Sequence, residues 1–267
     1  MIEKNIVTKN GRVYYWVSKM WENERETMFF FHGLTANHMM FESQWIYFQE
    51  KYNIIVWDAP CHGKSRPYVE FSYEDISAII LKIMKEQRVD SIIAIGQSLG
   101  GYYIQGLIAR YPQKVKAFIG IGTTPYGVDY YSKIDIFWLK QVGWMGLCCP
   151  LETLKKASSK QSTCTKEGYD NMMQMLAPYG KREYSKIMQK GYDAFLTDNR
   201  ELEIQCPVLI THGEKDKVGK VKKYCKMWHN KKGFSYIVIK NAGHNANVDN
   251  PDEMNRVMEE FINKEVI

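Results

Sequence analysis

Apolar residues along the chain fall into short continuous runs separated by stretches of helical period. The runs lie at 28–31, 53–57, 91–95, 117–121, 207–211 and 234–239. Each is strand length and lacks polar alternation, the pattern of strands covered on both faces. Helical spacing occupies 39–52, 73–87, 101–111, 221–229 and 252–263. Ahead of all these, Asn10-Gly11 is a strong two-residue turn signal with 12–18 as its returning strand, which predicts an opening β-hairpin. Strands alternating with helices require right-handed crossovers, so the expected fold is α/β, a mostly parallel, doubly wound sheet.

That alternation breaks between about 126 and 206, where helical patterns follow one another without a convincing strand. The expected organisation is a core domain formed by 1–125 and 207–267, with 126–206 inserted as a helical cap. Trp138, Trp144, Met172 and Met188 are among its apolar positions. Singly, such residues fit the cap's own core and its seam with the main domain; together they also suit an apolar pocket. Trp138, Trp144 and Met172 are the candidates to contact a substrate.

The run Gly96-Gln97-Ser98-Leu99-Gly100 stands between a predicted strand and a predicted helix. A serine there lies on a turn so sharp that its backbone is strained and its hydroxyl stands clear of the sheet edge. The next N–H, from Leu99, then sits at the positive end of a helix, where it can stabilise an oxyanion. A serine hydroxyl is a weak nucleophile and needs a base oriented by an acid. His244 follows the last predicted strand and precedes the final helix, and Asp216 lies beyond the preceding strand in His212-Gly213-Glu214-Lys215-Asp216. Glu214 and Asp129 are alternative carboxylates. A second oxyanion donor is expected from Leu34 in Phe31-His32-Gly33-Leu34, with His32 in a structural, hydrogen-bonding role.

Together these blocks resemble the α/β-hydrolase superfamily. Asp58-Ala59-Pro60-Cys61-His62-Gly63-Lys64-Ser65 is similar to the family's D-x-P-G-H-G-x-S loop, with Cys61 where glycine is usual. His212-Gly213-Glu214-Lys215-Asp216 looks like its H-G-x-x-D block, and Gly243-His244 followed by Asn250-Pro251-Asp252-Glu253 looks like its ending. The resemblance implies a metal-free Ser98-His244-Asp216 mechanism without a cofactor, at the carboxyl ends of the strands beneath a cap. Cys61 implies either a less positive φ at that turn or a thiol brought toward the cleft.

The remaining composition narrows the picture a little. An apolar fraction of 45% and a charged fraction of 25% argue against disorder, a fibre or a membrane protein. The net charge of +6 is concentrated in eight lysines between 215 and 232. Without interleaved arginine, that stretch reads as a solvated face and not as a nucleic-acid site. The first residues show no apolar leader and no cleavage signal, and the six cysteines lack zinc-ligand spacing; a cytoplasmic setting with reduced thiols is expected.

The expected activity is hydrolysis of a small-molecule carboxylic ester, with no nucleic-acid partner, no stable membrane insertion and an open oligomeric state. Carbon–carbon (meta-cleavage) hydrolysis, lysophospholipase or monoacylglycerol lipase activity on the same fold are the alternatives. A non-catalytic binding member has no need of a strained elbow.

Overall fold

The structure, a computed structural model, describes residues 1–141, 149–197 and 200–266. The expected hairpin is present: β1 (Ile2–Thr8) and β2 (Gly11–Val17) pair antiparallel across the Asn10-Gly11 turn. The other strands are β3 (Thr27–Phe31), β4 (Asn53–Trp57), β5 (Ile92–Gln97), β6 (Val115–Ile121), β7 (Val208–Gly213) and β8 (Ser235–Ile239). One eight-stranded sheet results, in the order β1-β2-β4-β3-β5-β6-β7-β8, antiparallel at the hairpin end and parallel from β4 onward.

Side chains leave the central strands alternately to two faces, and each face has its own core. Phe29, Phe31, Ile55 and Trp57 meet α2 (Tyr73–Glu86), α3 (Leu99–Arg110) and α8 (Val221–Lys232). Met28, Phe30, Ile54 and Val56 meet α1 (Glu42–Phe48) and α9 (Pro251–Glu265). Burial on both faces is why β3, β4 and β5 read as continuous apolar runs.

Two expectations need correction. The last run, 234–239, is not covered on both faces: β8 is an edge strand with Ile237 and Val238 exposed and Ile239 buried. A β-branched run at a sheet edge resembles a central strand in composition alone. The helix expected at 39–52 is divided into a 3-10 turn, His38–Phe41, and α1.

Between β6 and β7 the described elements are a 3-10 turn and the helices α4 (Lys133–Leu139), α5 (Leu151–Ser162), α6 (Lys166–Leu176) and α7 (Lys181–Thr197), with no described strand. The lysine-rich stretch is partly neutralised by this segment and the strand approach that follows it. Lys220 pairs with Asp135 at 2.7 Å, Lys231 with Glu201 at 2.8 Å and Lys232 with Glu203 at 2.7 Å. Among the described residues no helix is long and apolar enough to cross a membrane.

Candidate active site

Ser98 is the joint between β5 and α3, with φ 49° and ψ −114°. A non-glycine residue held at positive φ stores backbone strain, which the surrounding structure must impose. Here the Ser98 N–H donates to the Ile121 carbonyl at 2.9 Å, fixing the turn to β6. On the other side a Cβ at Gly100 would come within 1.9 Å of the Phe31 carbonyl oxygen, so only glycine lets α3 cross β3 that closely. Leu99 is the first residue of α3, where backbone N–H groups have no partner within the helix.

The His244 imidazole meets the Asp216 carboxylate, Nδ1 to Oδ2, at 2.8 Å, with both residues buried. The other oxygen, Oδ1, accepts the Val218 N–H at 2.8 Å. A carboxylate so engaged fixes the Nδ1–H tautomer and leaves Nε2 as the basic nitrogen. The ring rests on Gly122, the residue after the carbonyl that holds Ser98: a Cβ there would lie 3.0 Å from both Cε1 and Nδ1. The rival carboxylates are elsewhere. Glu214 accepts the Asn241 N–H, and Asp129 is exposed.

Gln97, the unspecified residue of the serine motif, ties three loops together. Its Nε2 donates to the His244 carbonyl at 3.3 Å and to Asn245 Oδ1 at 3.2 Å, while Gly33 packs directly on its Oε1. Asp249 has a similar role at the outer edge. It accepts N–H groups from Gly243, Cys164 and Thr165 at 2.7, 2.9 and 3.2 Å, and the Thr165 hydroxyl at 2.6 Å. Sequence reasoning passed over both residues, because an amide or carboxylate that satisfies backbone donors has no motif of its own.

The three histidines flanking the site are locked as neutral rings. His32 donates from Nδ1 to the Gly33 carbonyl at 2.8 Å, and its Nε2 accepts the Ala59 N–H at 3.0 Å, so neither nitrogen is available as a base. Burial lowers its pKa to about 4. His62, donating to the Pro60 carbonyl, is lowered by burial to about 3. Burial also lowers His212, which donates to the Gly213 carbonyl and faces the Tyr236 hydroxyl. Burial pushes the Asp58 carboxyl up, but the hydrogen bonds from the His38 ring and the Lys64 N–H outweigh it, and the net displacement is downward.

Cys61 departs from expectation. Its φ is 68°, as positive as a glycine turn would be, so the loop imposes the left-handed conformation on a cysteine. Its thiol turns away from the Ser98 cavity, donating to the Tyr68 carbonyl at 3.5 Å, and burial pushes its pKa up.

Ser98 opens onto a cavity of about 640 Å³, whose wall includes Leu34, Leu99, Tyr102, Trp138, Met188 and Val218. Trp138 therefore borders it, half of its surface exposed. Met172 does not: it is buried on α6, its sulfur 3.7 Å from the Asn245 amide. Trp144 lies outside the described residues. Asp135 and Lys220, paired with each other, are the charged side chains among the described residues that line the cavity. No described group of His, Cys, Asp and Glu side chains has the arrangement to hold a metal ion.

A family model described as the alpha/beta hydrolase fold matches residues 26–147. A thermophilic esterase from Thermogutta terrifontis superposes with a TM-score of 0.80 at 14% identity, over all of both chains. An (E)-2-((N-methylformamido)methylene)succinate hydrolase of Acinetobacter baylyi is 22% identical over 273 residues, covering 98% of each protein. A 2-(acetamidomethylene)succinate hydrolase of Mesorhizobium japonicum is 31% identical over 100 residues, 37% of this chain; the match spans about a third of that relative's length, 36%. The chain has the α/β-hydrolase fold, and over residues 26–147 it matches the model of that fold's family.

Proposed function

We propose that the chain is a serine hydrolase that cleaves carboxylic esters of small or medium acyl groups. The observation that carries this reading is the buried 2.8 Å contact between His244 and Asp216, beside a serine held at positive φ. In the reaction, His244 Nε2 takes the Ser98 hydroxyl proton as Oγ attacks the ester carbonyl carbon. The N–H groups of Leu34 and Leu99 receive the developing oxyanion. Collapse expels the alcohol, which leaves with the proton from His244, and an acyl-enzyme remains on Ser98. Water then attacks the acyl carbon with His244 again as base, releasing the acid and restoring the serine. Asp216 holds the imidazole tautomer and stabilises its cation without itself taking the proton.

The helical segment between β6 and β7 acts as a cap in this scheme, with Met188 and Trp138 walling the acyl pocket. An apolar wall favours an uncharged acyl group over the carboxylate-bearing substrates that the two named relatives act on. Lys220, the cation on that wall, is already paired with Asp135. Recognition of a second carboxylate would require breaking this pair.

A panel of p-nitrophenyl esters of increasing chain length, run beside a meta-cleavage diketone, a lysophospholipid and an aryl amide, tests the reading. Faster turnover of the esters supports it. A preference for the diketone or the amide would replace it with a carbon–carbon or amide hydrolase on the same residues.

A further inference from the structure

Beside the Ser98 cavity, the structure contains a second one, of about 270 Å³, between α7 and the loop that follows β4. Its α7 wall carries Arg182, Lys186 and Lys190, spaced i, i+4 and i+8 on one stripe. The facing wall carries Cys61, Arg66 and Tyr68. Like charges four residues apart destabilise a helix by a few tenths of a kcal/mol per pair. A stripe of three such cations aimed at a concavity is therefore kept against local helix stability, which is the kind of rule violation that marks functional surfaces.

The carboxylate in the cavity does not offset this stripe. Glu183 accepts Arg66 Nη1 at 2.9 Å, and the same guanidinium donates from Nε to the Gly63 carbonyl and stacks 4.5 Å over the Tyr179 ring. Among the described residues Arg182, Lys186 and Lys190 make no ion pair; Lys190 donates to the Val69 carbonyl at 3.1 Å. Four cations against one carboxylate leave a net charge of +3 around this cavity.

We infer that this cavity is a binding site for a small phosphate-bearing dianion or trianion of the diphosphate class. One carboxylate would neutralise a single cation, whereas a terminal phosphate carries about −1.5 to −2 near neutral pH and the phosphate bridged to it adds about one more charge, so a diphosphate matches the whole stripe. The Arg182 guanidinium supplies the fork that reads two phosphate oxygens, and the two lysines act as point charges on the others. Bound there, the anion joins α7 to the loop 61–68. The same helix lines the Ser98 cavity through Met188 and Gly191, so an occupied site stiffens one wall of that cavity.

Isothermal titration of the full chain with inorganic pyrophosphate, at constant ionic strength, tests this without reference to any catalytic activity. One saturable site is expected, absent with acetate or chloride, together with slower amide hydrogen exchange in 181–191. Lys186→Gln combined with Lys190→Gln should weaken binding at least tenfold while cooperative unfolding is retained; Arg182→Gln alone, the check if the double variant does not fold, should weaken it at least threefold. Absence of saturable binding by the parent protein, acetate binding of equal strength, or pyrophosphate affinity unchanged in the folded variants would overturn the proposal.

Discussion

Asp249 Oδ2 accepts the N–H of Gly243, the residue before His244, at 2.7 Å, and the same oxygen accepts the N–H of Cys164 from the α5–α6 connection. Its partner oxygen holds Thr165. The loop that carries the imidazole is thus fastened to the helical segment over the sheet by one carboxylate, with the Asn245 N–H bonded to the Ser162 carbonyl at 2.8 Å as a second tie.

Asp249→Asn should separate positioning from folding. An amide turns one oxygen into a donor that faces N–H groups, so the loop loses at least one charge-assisted hydrogen bond, worth about 1.5–3 kcal/mol. A decrease in kcat of about tenfold is expected, with KM within about twofold and the rate of acylation lowered in parallel. If stopped-flow acylation kept its parent rate while only the melting temperature fell, Asp249 would be a structural residue and nothing more.

Gly122→Ala tests the surface on which the imidazole rests. The added methyl falls 3.0 Å from His244 Cε1 and Nδ1, and the backbone there has φ 56°. The left-handed conformation costs a non-glycine residue about 1–2 kcal/mol, and the ring has to shift as well. Ester turnover should drop at least tenfold, against a loss of a few degrees in Tm. Unchanged turnover would mean that the ring position seen here is not the working one.

The buried neutral histidines set an acid limit on stability. His32 and His62 have folded-state pKa values near 4 and 3, below the unfolded value near 6.5. Between those limits the unfolded chain binds protons that the folded chain refuses, so stability falls as pH drops from about 6.5 toward 4, by up to about 1.4 kcal/mol per pH unit for each ring. Asp58 acts lower: its depressed carboxyl contributes stability above its unfolded value near 4 and loses it as pH falls through the folded one. Urea unfolding at pH 4.5 to 7 should therefore show a steep slope that His62→Asn reduces by about half, whatever that substitution does to stability at pH 7.

Chain-length selectivity should respond to Met188. Its side chain borders the Ser98 cavity from α7. Met188→Trp adds bulk without charge, and kcat/KM for p-nitrophenyl octanoate should fall at least tenfold relative to that for the acetate. An equal loss for both esters would point away from Met188 as an acyl-pocket residue.

How far the sequence could be read followed the physical nature of each feature. Strands buried on both faces, such as Ile92–Gln97, announce themselves by continuous apolar runs. The Asn10-Gly11 turn announced the hairpin through the conformations its residues favour. Asp216 and His244 were legible because a motif fixes each relative to a strand end, and the structure places them in contact. What could not be read depended on contacts between distant segments. The exposed edge of β8 follows from its having no strand beyond it among the described residues. Met172 and Trp138 look alike in composition, yet docking of the helices buries one and sets the other at the cavity. Asp249 and Gln97 act through backbone groups of other loops, and Cys61 takes its positive φ from the loop around it.

The central claim is that Ser98 is the nucleophile. Intact-mass measurement after reaction with a fluorophosphonate, paired with p-nitrophenyl acetate turnover, tests it directly. One adduct per chain on Ser98 in the parent protein, with no adduct and a loss of turnover of at least about a thousandfold in folded Ser98→Ala, is the predicted result. A parent protein that stays unmodified and inactive, or a Ser98→Ala variant that turns over the ester at the parent rate, would contradict the account.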